Sequence, residues 1–219
     1  MDFRFQNEVT IPVESVKLKG DLIIPIEAAA IIIFSHGSGS SRLSSRNQMV
    51  ARYLHQKNFG TLLFDLLTEA EDSNNQNRFD IDLLTKRLIN VSDWLQLQPA
   101  AKDYRFGYFG ASTGAASALK AASYLPQIDA VVSRGGRPDL AMNRLANVSA
   151  ATLLIVGGLD QDVLRLNEDA YLKLTCKKKL EIIDGATHLF EEPGKMEKVA
   201  MLAADWFEKY LNPVIVKMK

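Results

Sequence analysis

Short apolar runs alternate with longer amphipathic segments along most of the chain. The apolar runs, rich in branched or aromatic residues, occupy Ala30–Ser35, Gly60–Asp65, Arg105–Phe109, Ala130–Ser133, Ala151–Val156 and Leu180–Ile183. A run with no polar face suits a strand covered on both sides, as in a parallel sheet. Asn47–Lys57, Ile81–Leu97, Ala115–Tyr124, Val163–Leu174 and Met196–Leu211 instead place apolar residues at the helical period; Leu84, Leu88, Val91 and Leu95 make one such stripe. Strand-helix alternation with helix-length crossovers predicts a doubly wound α/β sheet, with a helix after every parallel strand. Val9–Leu18 and Gly20–Ile24 precede it and predict an antiparallel hairpin at one edge. The most polar stretch, Glu69 to Arg78, reads as one long surface loop.

Composition narrows the class. The chain has 219 residues, 26 basic against 26 acidic side chains, and the single cysteine Cys176. This length predicts a single domain over residues 1–219, with a core large enough to need no staple. Zero net charge argues against a nucleic-acid partner. One cysteine excludes an internal disulfide, and no Cys/His cluster has zinc-ligand spacing, so no metal or other cofactor is expected. Met1-Asp2-Phe3-Arg4 has no apolar leader, and the longest apolar run, Ala28 to Phe34, is too short to span a bilayer. The expectation is a cytoplasmic protein with no membrane partner; oligomeric state is not readable.

In a sheet of this type, chemistry belongs at the carboxyl ends of the strands. After Arg105–Phe109 comes Gly110-Ala111-Ser112-Thr113-Gly114, followed by small, helix-forming residues. A G-x-S-x-G sequence between an apolar strand and a helix places a serine on a sharp turn. That turn aims the next amide, Thr113, toward a developing oxyanion. Serine needs a base, and the candidates are His36, His55 and His188. His55 falls in a predicted helix and is expected to face solvent. His188 follows the last apolar run. After Ala151–Val156 comes Gly157-Gly158-Leu159-Asp160-Gln161-Asp162, so Ser112, Asp160 and His188 stand in serine–acid–histidine order. Asp162, expected to cap the following helix, and Asp139 remain alternative acids.

The loop His36-Gly37-Ser38 can offer the Ser38 amide as a second oxyanion donor. A phosphate-cradling role lacks both the P-loop lysine and the dinucleotide glycine spacing. His36 and Gly37, with Arg134, are candidate substrate-binding residues, and His36 is also placed to brace the loop. Arg134 and Arg137 could each grip an anion or simply pair with Asp139. Blander expectations attach to Trp94 and Trp206 (core), Asp65 (a loop brace), Lys177-Lys178-Lys179 (a solvated turn) and Cys176 (a filler or an exposed thiol).

Through His36-Gly37-Ser38, Gly110 to Gly114, Gly157 to Val163 and Gly185-Ala186-Thr187-His188, the chain resembles the α/β-hydrolase superfamily, in its small dienelactone-hydrolase-like branch. The resemblance runs from about Ala28 to Leu211. It implies an eight-stranded, mostly parallel sheet with helices on both faces and little or no cap. It also implies a small-molecule ester substrate, Ser112 as nucleophile, His188 as base, Asp160 as orienting acid, and the Ser38 and Thr113 amides as oxyanion hole. True dienelactone hydrolases carry cysteine where Ser112 stands, so a carboxylic-ester hydrolase is implied rather than dienelactone cleavage itself. Asp65 to Glu69 and Ser133 to Asp139 further resemble an uncharacterised set of these hydrolases, some fused to phosphoribosyltransferase domains; no such partner is expected here. A thioesterase or acyltransferase would use the same residues, and a silent binding protein would keep the scaffold without the chemistry.

Overall fold

A computed structural model describes residues 2–212. Eight strands form one sheet in the order β1-β2-β4-β3-β5-β6-β7-β8. β1 (Phe3–Val13) and β2 (Val16–Pro25) are the antiparallel hairpin, and β2 continues antiparallel against β4 (Phe59–Phe64). β3 (Ala30–Ser35), β5 (Arg105–Ala111), β6 (Ile128–Arg134), β7 (Ala151–Gly157) and β8 (Lys178–Ile183) run parallel with β4. From β3 the chain steps to one side for β4, then crosses back to lay β5 on the other side. The carboxyl ends of β3 and β5 therefore flank the reversal, where a crevice forms in such sheets.

Strand alternation sends Ile31, Ile33, Val131 and Leu154 into one core, and Ile32, Phe34, Val132 and Ile155 into the other. The first core is covered by α4 (Ile81–Gln96), α5 (Thr113–Ala122) and α6 (Gln161–Lys173); the second by α1 (Ser45–Gln56) and α7 (Lys195–Leu211). Trp206 lies in that second core and donates its indole N–H to the Ala151 carbonyl at 3.0 Å. Among the described residues no helix is long and apolar enough to cross a membrane.

Three local expectations are corrected. The hairpin turns at Glu14-Ser15, earlier than the expected break near Lys19, and Glu14 takes a left-handed φ of 51° there. Glu69 to Arg78 is not a plain loop: it folds as α2 (Glu69–Asp72) and α3 (Asn75–Phe79). Thr68 and Glu71 form a reciprocal capping box, the Glu71 amide donating to Thr68 Oγ1 at 3.2 Å and the Thr68 amide to Glu71 Oε2 at 2.9 Å. Finally, no α-helix follows β6. Two short 3-10 turns, Pro138–Ala141 and Leu145–Asn147, make that connection, so no extra helical layer is built over the carboxyl ends from this segment.

Candidate active site

Ser112 links β5 to α5 with φ 51° and ψ −120°, a strained conformation for a residue with a side chain. Close packing around the turn holds it there. A Cβ on Gly110 would lie 2.5 Å from Ala115 Cα, and one on Gly114 would overlap the carbonyl oxygens of Ser35 and His36. Only glycine fits at either place. Gly37 faces the elbow: a Cβ there would come within 3.2 Å of Ser112 Cβ. Although Ser112 occupies the N-cap position of α5, its side chain makes no capping bond, and its hydroxyl is not consumed by the helix.

His188 Nδ1 stands 2.6 Å from Asp160 Oδ2. A proton on Nδ1 satisfies the carboxylate and leaves Nε2 as the basic nitrogen. Asp160 leads into α6 while His188 lies in the loop after β8, so one pair joins two strand ends. The ring also neighbours β6's end: a Cβ on Gly135 would meet His188 Cε1 at 3.5 Å. Ser112 is tied to the same strand end, its amide donating to the Arg134 carbonyl at 3.2 Å. No hydrogen bond joins His188 to Ser112 among the described residues; such bonds often tighten only with substrate in place.

The alternative acids are otherwise engaged. Asp162 does not cap α6; its side chain is 93% exposed and lies 3.7 Å from Arg165. Asp139 is held bidentately by Arg137, at 2.8 Å through each of two nitrogens. Arg137 is thereby placed in an internal pair, whereas Arg134 is not paired with Asp139.

His36 braces the loop through both ring nitrogens. Its Nε2 accepts from the Leu66 amide at 3.0 Å and its Nδ1–H donates to the Gly37 carbonyl at 3.0 Å. Both nitrogens are committed to backbone, and burial holds the ring's pKa down, so it is a neutral brace. The Ser38 amide lies beside Thr113 as expected, but it donates to Thr113 Oγ1 at 2.9 Å. The two residues expected to supply the oxyanion hole are thus brought together, with the Ser38 amide occupied by the Thr113 hydroxyl. Asp65 braces the same loop by accepting from the Arg42 amide at 2.8 Å.

His55 does not face solvent. It is buried, its Nε2 2.8 Å from Thr61 Oγ1. Desolvation, helped by nearby Arg52, pushes its pKa from 6.5 down to about 4. The folded state therefore keeps it neutral while the unfolded chain protonates below pH 6.5. Stability should fall as pH drops from 6.5 toward 4, and His55→Gln should show a shallower fall in Tm over that window. A slope equal to that of the unmodified protein would refute the assignment.

Two arginines lie near the site, and only Arg134 was expected from the sequence. Arg46, at the start of α1, bonds Glu191 just after His188 at 2.6 Å, across 145 positions of chain. Arg134 is only 5% exposed, and burial, then the charge of Arg46, lowers its pKa to about 10.

Comparison with known proteins supports the fold and gives its family. The family model described as "Dienelactone hydrolase family" matches residues 22–213. A crystal structure of a dienelactone hydrolase from Anabaena variabilis superposes with TM-score 0.92 at 51% identity, covering 95% of this chain and 99% of that one. An esterase of Pyrococcus furiosus, 19% identical, shares the fold with TM-score 0.79 over 95% of this chain and 92% of its own. A curated Mycobacterium tuberculosis protein named "Putative phosphoribosyl transferase" is 53% identical over 206 residues, 93% of this chain and 46% of its own length. The chain thus spans less than half of that relative.

Proposed function

Because this chain belongs to the dienelactone hydrolase family, we propose that it is a serine hydrolase cleaving a small carboxylic ester or related acyl substrate. The observation that carries the reading is the 2.6 Å His188–Asp160 pair together with the strained, uncapped Ser112, both of which adjoin the end of β6. Ser112 Oγ attacks the carbonyl carbon as His188 Nε2 takes its proton, and Asp160 stabilises the imidazolium. The oxyanion forms near the Thr113 amide at the head of α5, where the helix dipole favours negative charge. Rotation of the Thr113 hydroxyl frees the Ser38 amide as the second donor. His188 returns the proton to the leaving alcohol, then activates water against the acyl-enzyme. Serine rather than cysteine at the elbow favours an oxygen-ester intermediate.

The connection after β6 holds only two short 3-10 turns and no cap of helices, which favours a small or partly exposed ester. The transferase in the Mycobacterium tuberculosis relative's name belongs to a protein more than twice this length, and the shared part is the hydrolase fold. Incubation with a fluorophosphonate probe, followed by peptide mass mapping, should place one adduct on Ser112. An unlabelled protein, or an adduct elsewhere, would refute the proposal.

A further inference from the structure

We propose that Asn167 is a positioning residue for the active site: its side-chain amide locks α6, the helix that Asp160 leads into, onto the segment Gly135-Gly136-Arg137, which packs against both Ser112 and His188. This rests on the hydrolase reading and adds to it the residue that keeps the three reacting groups in register.

Asn167 is the odd member of its helix face. The buried stripe of α6 is Val163, Asn167 and Ala170, and Asn167 is fully buried at its centre. A stripe packed on a sheet calls for an apolar side chain there, and asparagine is also a weak helix former. Its Nδ2 donates to the Val163 carbonyl at 2.8 Å, one turn back, and to the Gly136 carbonyl at 3.0 Å, 31 positions away. Two carbonyl partners fix the orientation of the amide, with its NH₂ group toward them. Oδ1 is thereby enclosed without a partner. An apolar side chain would avoid that desolvation cost, so the packing of α6 alone does not account for an amide at this position.

The segment it grips joins the parts of the site. Arg137 donates its amide to the Ser112 carbonyl at 3.1 Å, and Gly135 donates to the Ile155 carbonyl of β7 at 2.8 Å. A Cβ on Gly136 would overlap Ser133 Oγ and come within 2.8 Å of Ala115 Cβ, in the first turn of α5. The segment also meets the base, since a Cβ on Gly135 would lie 3.1 Å from the His188 carbonyl oxygen. Asp160 is the N-cap residue of α6, its carbonyl receiving the Leu164 amide at 2.9 Å, so the acid moves with the helix. Asn167 lies two turns further along that helix. Among the described residues no other side chain hydrogen-bonds to the backbone of residues 135–137. One amide thus couples the helix of the acid to the segment that touches nucleophile and base. Loss of that coupling lets the acid and its histidine drift against Ser112, and a misplacement of about 1 Å is enough to cost on the order of a hundredfold in rate.

The test uses Asn167→Leu, which keeps a branched side chain of similar length and removes the bond. With 4-nitrophenyl butyrate, kcat per site titrated by the fluorophosphonate probe should fall about ten- to a hundredfold, with KM within about twofold. The low-field proton resonance expected from the 2.6 Å His188 Nδ1–H bond to Asp160 should shift or broaden. A merely structural bond would lower Tm and move neither reading. A kcat within about twofold of that of the intact protein, a loss confined to KM, or an unmoved resonance overturns the proposal. Should Asn167→Leu fail to fold, Asn167→Ser decides by the same readings, for its hydroxyl can still bond the Val163 carbonyl but is too short to reach Gly136. If the intact protein neither turns over the ester nor takes the probe, the hydrolase reading fails by itself. The resonance then judges the Asn167 clamp alone, since it reports the His188–Asp160 pair without any reaction.

Discussion

Ser112→Ala should lower kcat for short 4-nitrophenyl esters by a factor on the order of 10⁴ to 10⁶, with little change in Tm. The kinetic part follows from chemistry: without Oγ no acyl-enzyme forms, and the Thr113 and Ser38 donors can only assist direct attack by water. The stability part follows from structure. Ser112 supplies no capping bond to α5, so that helix start loses nothing when the hydroxyl goes. Alanine must take the same left-handed φ of 51°, but serine already bears that strain, and the Gly110 and Gly114 contacts that impose it are untouched. A large loss of activity with a large loss of Tm would mean misfolding rather than a missing nucleophile. A variant keeping more than about one per cent of the activity would exclude Ser112 as nucleophile.

Much of the fold was readable because its strands are covered on both faces. β3 begins and ends where its apolar run does, and the other parallel strands differ from theirs by a few residues. The hairpin was harder. β1 is largely exposed over Phe3 to Glu8, so no apolar pattern marks its start, and Glu14-Ser15 carries no glycine or asparagine to announce the turn. The helix expected after β6 fails because alternation is a habit of the fold class, whereas this segment has Pro138 and only short 3-10 turns. Thr68-x-x-Glu71 did hold a readable capping signal within the polar stretch, outweighed there by its asparagines. His55 shows the limit of helical reasoning: periodicity places a residue on a helix, but the partner at Thr61 lies on the next strand.

For the site, legibility tracked the strand ends. Ser112, Asp160 and His188 each follow an apolar run, so their order could be read before any distance was known. What could not be read was which arginine has a partner. Arg134 and Arg137 are three positions apart and looked equivalent; Arg137 turns back to Asp139 while Arg134 passes into the core beside Phe190. Arg46 reaches the same turn from α1, bonding Glu191 at 2.6 Å, only through the packing of that helix on the sheet. Charge pairing of this kind is a property of the folded chain, not of spacing.

Asp160→Asn should reduce kcat by about 10³ to 10⁴, while Asp162→Asn leaves it within about twofold. At 2.6 Å, Asp160 Oδ2 accepts the His188 Nδ1 proton and so keeps Nε2 unprotonated toward the substrate. An amide at position 160 can present its NH₂ group to the ring instead, which moves the proton to Nε2 and removes the base. It also takes away the negative charge that stabilises the imidazolium formed during attack. The loss should fall on kcat more than KM, because neither effect touches the bound ester. Asp162 lies two residues along with its side chain 93% exposed and its nearest basic group, Arg165, at 3.7 Å. An exposed pair at that distance contributes little. Steady-state kinetics of both variants separate the two acids: if Asp162→Asn is the damaging change, α6 must present a different face to His188 during turnover, and the proposed triad is wrong.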